Sequence, residues 1–126
     1  MQLHKDHLHK KIHHYIFSVI QPSFTYANEY IKDQNIKKIV INNLKTRGNS
    51  QRNRAVDEYQ YYEAESRESL LKFIKGILSF ISDIAYTELY TALKGRVENF
   101  DEIVAQLKED LNKRLIEDFK MLEGEI

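Results

Sequence analysis

The sequence predicts an all-α protein, an antiparallel bundle of about four helices with one over-long helix at residues 54–94. One proline and four glycines in 126 residues provide few turn signals, which favours few, long helices. Apolar residues in the over-long segment recur at alternating steps of four and three, the spacing of one helix face. These residues are Leu70, Ile74, Ile77, Ile81 and Ile84.

Two helical regions are predicted before residue 45. Residues 3–20 form the first, and Pro22 ends it or begins the next. The second spans 24–44, and its apolar rows are offset at 33–35, which allows a kink. The β-branched residues of 36–42 leave a strand as the alternative there. Helix is preferred because no second strand is available, and a lone strand is not stable.

Residues 46–53, TRGNSQRN, are predicted to form a loop because they are polar throughout and contain a glycine. The over-long helix follows and stops at Gly95. It would be longer than a compact domain of this size is wide, so we expect a kink at Gly76 or a projection toward a partner. An intertwined dimer is the alternative architecture. The last helix is predicted between Asn99 and Gly124.

The length predicts a single helical domain over 1–126, with an uneven distribution of charge. Residues 1–54 form a basic half with ten bases and three acids, and residues 55–126 form an acidic half with nine bases and sixteen acids. Such halves predict a polyanionic partner, association between subunits, or pairing within one molecule.

Enzyme signatures are lacking in this sequence. There is no cysteine, and the five histidines all precede Tyr15. We find no glycine-rich phosphate loop and no nucleophile elbow. No catalytic activity and no cofactor are therefore expected. The polar N-terminus does not resemble a secretory signal, and no apolar window is long enough to span a bilayer. We therefore expect a cytoplasmic protein without a membrane partner.

The first helix holds the only candidate metal ligands, and they are weak ones. Asp6, His9 and His13 fall within about 60° of one another on a helical wheel. Zinc takes histidine and carboxylate ligands, but a fourth ligand would have to come from elsewhere. Half-buried packing of the two histidines against the apolar face is the alternative, so no metal site is predicted.

The most informative segment for function is 34–56, which contains no acid. Arginine and lysine contacts with phosphates supply the sequence-independent part of nucleic-acid affinity, and an aromatic side chain nearby can stack on a base. The predicted nucleic-acid-binding residues are Lys37, Lys38, Lys45, Arg47, Arg52, Arg54 and Tyr59.

The sequence thus predicts a small nucleic-acid-binding protein, or a small subunit of a nucleoprotein assembly, with DNA and RNA both open. The alternative is a protein-interaction or self-assembly module whose basic and acidic halves pair between subunits. A homodimer or a larger complex is expected, because the long helix carries more apolar width than a monomer of this length covers.

Overall fold

The computed structural model describes residues 5–125, the first four of them by backbone only. Within this range every regular element is a helix, so the predicted all-α class is confirmed. Five helices follow one another along the chain: α1 (Lys5–Val19), α2 (Gln21–Tyr30), α3 (Gln34–Glu65), α4 (Arg67–Leu93) and α5 (Phe100–Glu125). None of these helices, over the described residues, has the length and apolar character needed to cross a membrane.

The predicted helix over 54–94 is wrong in its start and in its continuity, whereas its predicted end agrees with α4, which ends at Leu93. Its first part belongs to α3, which ends at Glu65, and α4 begins at Arg67. Ser66 lies between them in extended conformation, with φ −172° and ψ 163°. Its hydroxyl accepts a hydrogen bond from the backbone N–H of Ser69 at 3.0 Å and so caps α4, the usual role of serine at this position. The chain therefore turns at Ser66, and α4 continues through Gly76 without a break.

The predicted loop at 46–53 is also wrong, because these residues lie inside α3. Leu44, Gly48, Ala55 and Tyr59 are all buried, and their spacing of four, seven and four places them on one helix face. Most polar residues between them are exposed, whereas Asn49, Gln51 and Arg52 are half-buried. Packing of this buried face against the rest of the bundle stabilises the helix, although the local composition is typical of a loop.

The predicted second helix over 24–44 is divided into α2 and α3. Asp33 ends the short connection, and its carboxylate accepts hydrogen bonds from the backbone N–H groups of Asn35 at 2.9 Å and Ile36 at 3.1 Å. This N-cap begins a new helix at the predicted offset of the apolar rows. Residues 36–42 are helical, so the strand alternative is not found.

Contacts near the two ends of each helix pair show the relative direction of the helices. Asn43 lies within hydrogen-bond distance of Glu88, and Tyr62 stacks on Phe73 with ring centroids 4.1 Å apart. The start of α3 therefore meets the end of α4, and the two helices form an antiparallel hairpin. In the same way, contacts between α4 and α5 join Tyr90 with Phe100, and Lys75 with Glu123.

Helix α1 lies antiparallel to both α3 and α5. The ring of Phe17 lies directly over Gly48 of α3, where a Cβ atom would be 2.7 Å from the ring's Cζ. At the other side, Lys11 forms an ion pair with Glu125 of α5 at 3.2 Å. The short helix α2 contacts α5 through the hydroxyl of Tyr26.

The buried apolar side chains form one continuous cluster to which all five helices contribute. The largest fully buried members are Tyr15, Ile16, Ile20, Leu44, Ile74, Leu78, Ile81, Leu89, Leu93, Leu107 and Leu111.

Candidate nucleic-acid interface

All six predicted phosphate-binding bases lie on α3, and its helical phase places five of them in two rows. Residues seven apart in a helix lie almost on one line, because seven residues make nearly two turns. Lys38, Lys45 and Arg52 therefore form one row, and Arg47 and Arg54 form the other. The sequence predicts these bases in and around a flexible loop, whereas in the structure they lie along a helix of 32 residues.

Lys37 belongs to neither row. It is half-buried, and its Nζ donates a hydrogen bond to the backbone carbonyl of Asn28 at 3.3 Å. Its charge therefore lies near α2, away from the outer face of α3. Of the predicted residues it is the least suited to a phosphate contact.

The first row lies on the side of α3 that faces α1. At its end, Arg52 is half-buried, and its guanidinium donates to Asn49 Oδ1 at 2.9 Å. The same Nη1 lies 2.8 Å from Nδ1 of His13. An arginine can only donate a hydrogen bond, so His13 accepts through Nδ1. Burial and the neighbouring Arg52 charge both lower the pKa of His13 below its usual value of 6.5.

The second row lies on the side that faces α4. Arg54 donates from Nε to Glu58 Oε2 at 2.8 Å, an ion pair between residues of the same helix. Seven positions beyond Arg54, Tyr61 continues the row and is 75% exposed. This row thus ends in an accessible aromatic ring, within one continuous helix surface.

The predicted stacking role of Tyr59 does not fit its position. Tyr59 is only 5% exposed and belongs to the core cluster. It shares the buried face of Leu44, Gly48 and Ala55, so no base could stack on its ring. The burial of Tyr59 could not be predicted from the sequence, because the helical phase cannot be followed past residue 46 when 46–53 is treated as a loop.

Neutral hydrogen-bonding residues occupy the surface between the two rows. They are the exposed Asn42, Thr46, Ser50 and Asn53. Sequence reasoning missed this face for the same reason that it missed Tyr61. The outer surface of α3 is therefore basic along both edges and mainly polar along its centre, where the exposed Ile39 and Asp57 also lie.

These bases are not neutralised by the acids of α4 and α5. Over the described side chains, ion pairs join Lys11 to Glu125, Arg54 to Glu58, and Lys75 to Glu123. The only base of 37–54 among them is Arg54, whose partner lies on α3 itself. Lys38, Lys45 and Arg47 are thus exposed to solvent without an ion pair in the described part of the chain, whereas Arg54 is paired with Glu58.

The weak metal candidates are not assembled into a site in the described part of the chain. No group of three or more potential ligands is found there. The Nδ1 atom of His13 faces the guanidinium of Arg52, which competes with any metal for its lone pair. The side chain of Asp6 lies outside the described residues.

A second polar grouping joins α2 to α5. The hydroxyl of Tyr26 donates to Asp110 Oδ2 at 2.6 Å, beside a cleft of about 310 Å³ that is also lined by Arg114 and Glu117. Burial and this hydrogen bond raise the pKa of Tyr26 above its usual value of 10.0. The phenol therefore remains a donor at neutral pH, and the contact fixes the position of α2.

Comparisons with protein-family models, with curated proteins and with solved structures give no match to this chain.

Proposed function

We propose that this protein is a non-enzymatic nucleic-acid-binding protein that contacts backbone phosphates through the outer face of α3. The observation that carries the proposal is that Lys38, Lys45 and Arg47 are exposed and that, over the described residues, neither they nor Arg54 form an ion pair with an acid of α4 or α5. If these bases served only to hold the acidic helices in place, they would form ion pairs with them.

Because these bases lie on one helix, their spacing is fixed. Along each row, successive bases are about 10.5 Å apart, because a helix rises about 1.5 Å per residue. A rigid array loses less conformational entropy on binding than a flexible loop would. Phosphate contacts from such an array give affinity without sequence preference.

The centre of the face and its end supply contacts of other kinds. Asn42, Thr46 and Asn53 can donate to or accept from sugars and base edges. The exposed ring of Tyr61 can stack on an unpaired base, a contact worth about 1–3 kcal/mol per base. Duplex and single-stranded DNA and RNA are therefore all appropriate probes, and a role as a small subunit of a nucleoprotein assembly is compatible with this face.

The test is a variant in which Lys38, Lys45, Arg47 and Arg54 are all replaced by glutamine. Arg52 is retained because it packs against His13. We expect the fold to persist, since exposed charges contribute little to stability. Binding should weaken, and the salt dependence should fall by about 0.9 per lost contact on duplex DNA and about 0.7 on single strands.

A second variant with the same change in net charge is the control. It replaces four exposed lysines outside α3, namely Lys94, Lys108, Lys113 and Lys120, by glutamine. We expect it to bind as the wild type does. The proposal is wrong if the wild type shows no salt-dependent binding of any oligonucleotide at low ionic strength, or if both variants lose affinity equally.

The same variant also tests the alternative in which the basic and acidic halves pair between subunits. The charges of α3 would then contact acids of a second molecule. In that case the α3 variant would lose an oligomeric state that the wild type has, and nucleic-acid binding would be absent from both.

A further inference from the structure

The outward face of α4 carries an apolar side chain, Phe80, that the bundle covers only in part. Phe80 is 48% exposed, whereas Phe73 on the same helix is 9% exposed. One turn before Phe80 lies Gly76, and a Cβ atom built on it would have no atom within 4 Å. The helix therefore presents an exposed ring beside an open space.

This open space is a groove of about 560 Å³ between the end of α3 and the first half of α4. Phe73, Gly76, Ile77 and Phe80 line it, and Tyr62, stacked on Phe73, forms its far wall. These four α4 positions have the spacing i, i+3, i+4 and i+7. Four residues so spaced form the hole that receives one side chain from a facing helix.

We propose that the occupant is a second copy of this chain, with the two α4 helices antiparallel about a two-fold axis. In this arrangement Phe80 of each copy enters the hole around Gly76 of the other. The axis then passes close to residue 78, midway between the two positions. Both contacts form at once, as an interface between identical surfaces requires.

The charged residues on this face are also complementary across the same two-fold axis. Lys72 and Asp83 are exposed residues of one helix face, and neither is in an ion pair within the described part of the chain. Across an axis at residue 78, Asp83 of one copy lies opposite position 73 of the other. It is thus one residue, about 1.5 Å along the helix, from Lys72.

The arrangement is therefore self-complementary in shape and in charge. The two Phe80 rings fill the centre, and a Lys72–Asp83 pair lies at each end. The next positions outward, Ser69 and Thr87, lie opposite each other and are polar. A contact between two helices is small beside the usual 1,200–2,000 Å² of stable interfaces, so we expect a dimer that dissociates on dilution.

The experiment is sedimentation equilibrium over a concentration series of the full chain. We expect the wild type to form a dimer, and Phe80→Glu to raise the dimer dissociation constant by about tenfold or more, as loss of a central aromatic anchor does. Met121→Glu, which alters another exposed apolar residue on α5, is the control and should leave the dimer intact. Circular dichroism checks that each variant is folded.

Charge exchange tests the register of the dimer. Lys72→Glu and Asp83→Lys each place like charges opposite one another, so each should weaken the dimer. The double variant K72E/D83K restores opposite charges and should recover it. The proposal is overturned if the wild type is monomeric at every concentration, if Phe80→Glu has no effect, or if the double variant is no better than the single ones.

Discussion

At the scale of single residues, Arg52 differs from the other bases of the α3 outer face because its guanidinium also contacts His13 of α1. The hydrogen bond to His13 Nδ1 needs that nitrogen to be unprotonated, since both partners would otherwise be donors. Protonation of His13 therefore replaces an attractive contact by the repulsion of two positive charges. The protonation state of the His13 ring and the position of the Arg52 side chain depend on each other.

The first prediction at this scale concerns pH. The folded-state pKa of His13 is below its usual 6.5, so the unfolded chain binds the proton more tightly than the folded one. The stability contributed by His13 is complete above pH 6.5 and is lost as the pH falls through the folded-state pKa. Arg52→Gln should raise the pKa of His13 but leave it below 6.5, because burial is the larger cause.

Titration of the histidine ring signals by NMR measures the pKa of His13. The His13→Gln variant identifies which of these signals belongs to His13. A wild-type pKa at or above 6.5 would contradict the geometry. Denaturant unfolding of wild type and His13→Gln should show that the wild type loses more stability on acidification.

At the scale of helices, the contact between α1 and α3 depends on the absence of a side chain at position 48. Phe17 lies over Gly48 and is enclosed along α1 and α2 by His13, at a ring-centroid distance of 4.6 Å, and by Phe24, at 6.5 Å. A glycine inside a helix costs about 1 kcal/mol relative to alanine. Close packing of the Phe17 ring on the α3 backbone offsets this cost.

We predict that Gly48→Ala lowers the free energy of unfolding by about 1 kcal/mol, because overpacking costs about 1–3 kcal/mol and the gain in helix propensity returns about 1 kcal/mol. Gly124→Ala is the control, since a helical glycine there has open space around it. It should be neutral or stabilising. Urea denaturation measures both variants.

A double variant then tests the cause. Leucine at position 17 removes the ring that the new methyl group meets, so Gly48→Ala should cost less in a Phe17→Leu background than in the wild type. Equal costs in both backgrounds would show that the ring does not set the requirement for glycine.

Position 48 also explains why the sequence misled at the helix level. Glycine and asparagine are frequent in loops, and they occur here at Gly48, Asn49 and Asn53. The local composition does not indicate that Phe17, more than thirty residues away, packs on Gly48. In contrast, the breaks at Asp33 and Ser66 had a local signal, since both are N-cap residues. That signal was overlooked at Ser66 because apolar and helix-forming residues continue on both sides of it.

At the scale of the whole molecule, the all-α class could be predicted because it depends on quantities summed over the chain. Few prolines and glycines and long periodic segments are sufficient for it. The bounds of the helices depend on single caps and on contacts between distant residues. The candidate interface was predicted only in part for the same reason. Charge identified the α3 segment, but the two rows, the mainly polar centre and Tyr61 follow from a helical phase that passes unbroken through 46–53.

The single-residue turn at Ser66 has a consequence for the order in which the protein folds. Helices α3 and α4 meet after closing a very short loop, which costs little chain entropy. In contrast, α1 and α5 meet through residues as far apart as Lys11 and Glu125, separated by 114 positions. We therefore expect the α3–α4 hairpin to form in the folding transition state, and α1 to dock after it.

Stopped-flow measurements of the refolding and unfolding rates of the monomer test this order. The same substitution, phenylalanine to leucine, is made once in the α3–α4 hairpin and once in α1. Phe73→Leu alters the hairpin, where the ring stacks on Tyr62, and should mainly slow refolding. Phe17→Leu alters the docking of α1 on Gly48 and should mainly speed unfolding. The reverse assignment of the two rates would place the nucleus at α1. With the expected result, every residue of the α3–α4 folding nucleus is synthesised before α5, so the hairpin can begin to form while the chain is still being made.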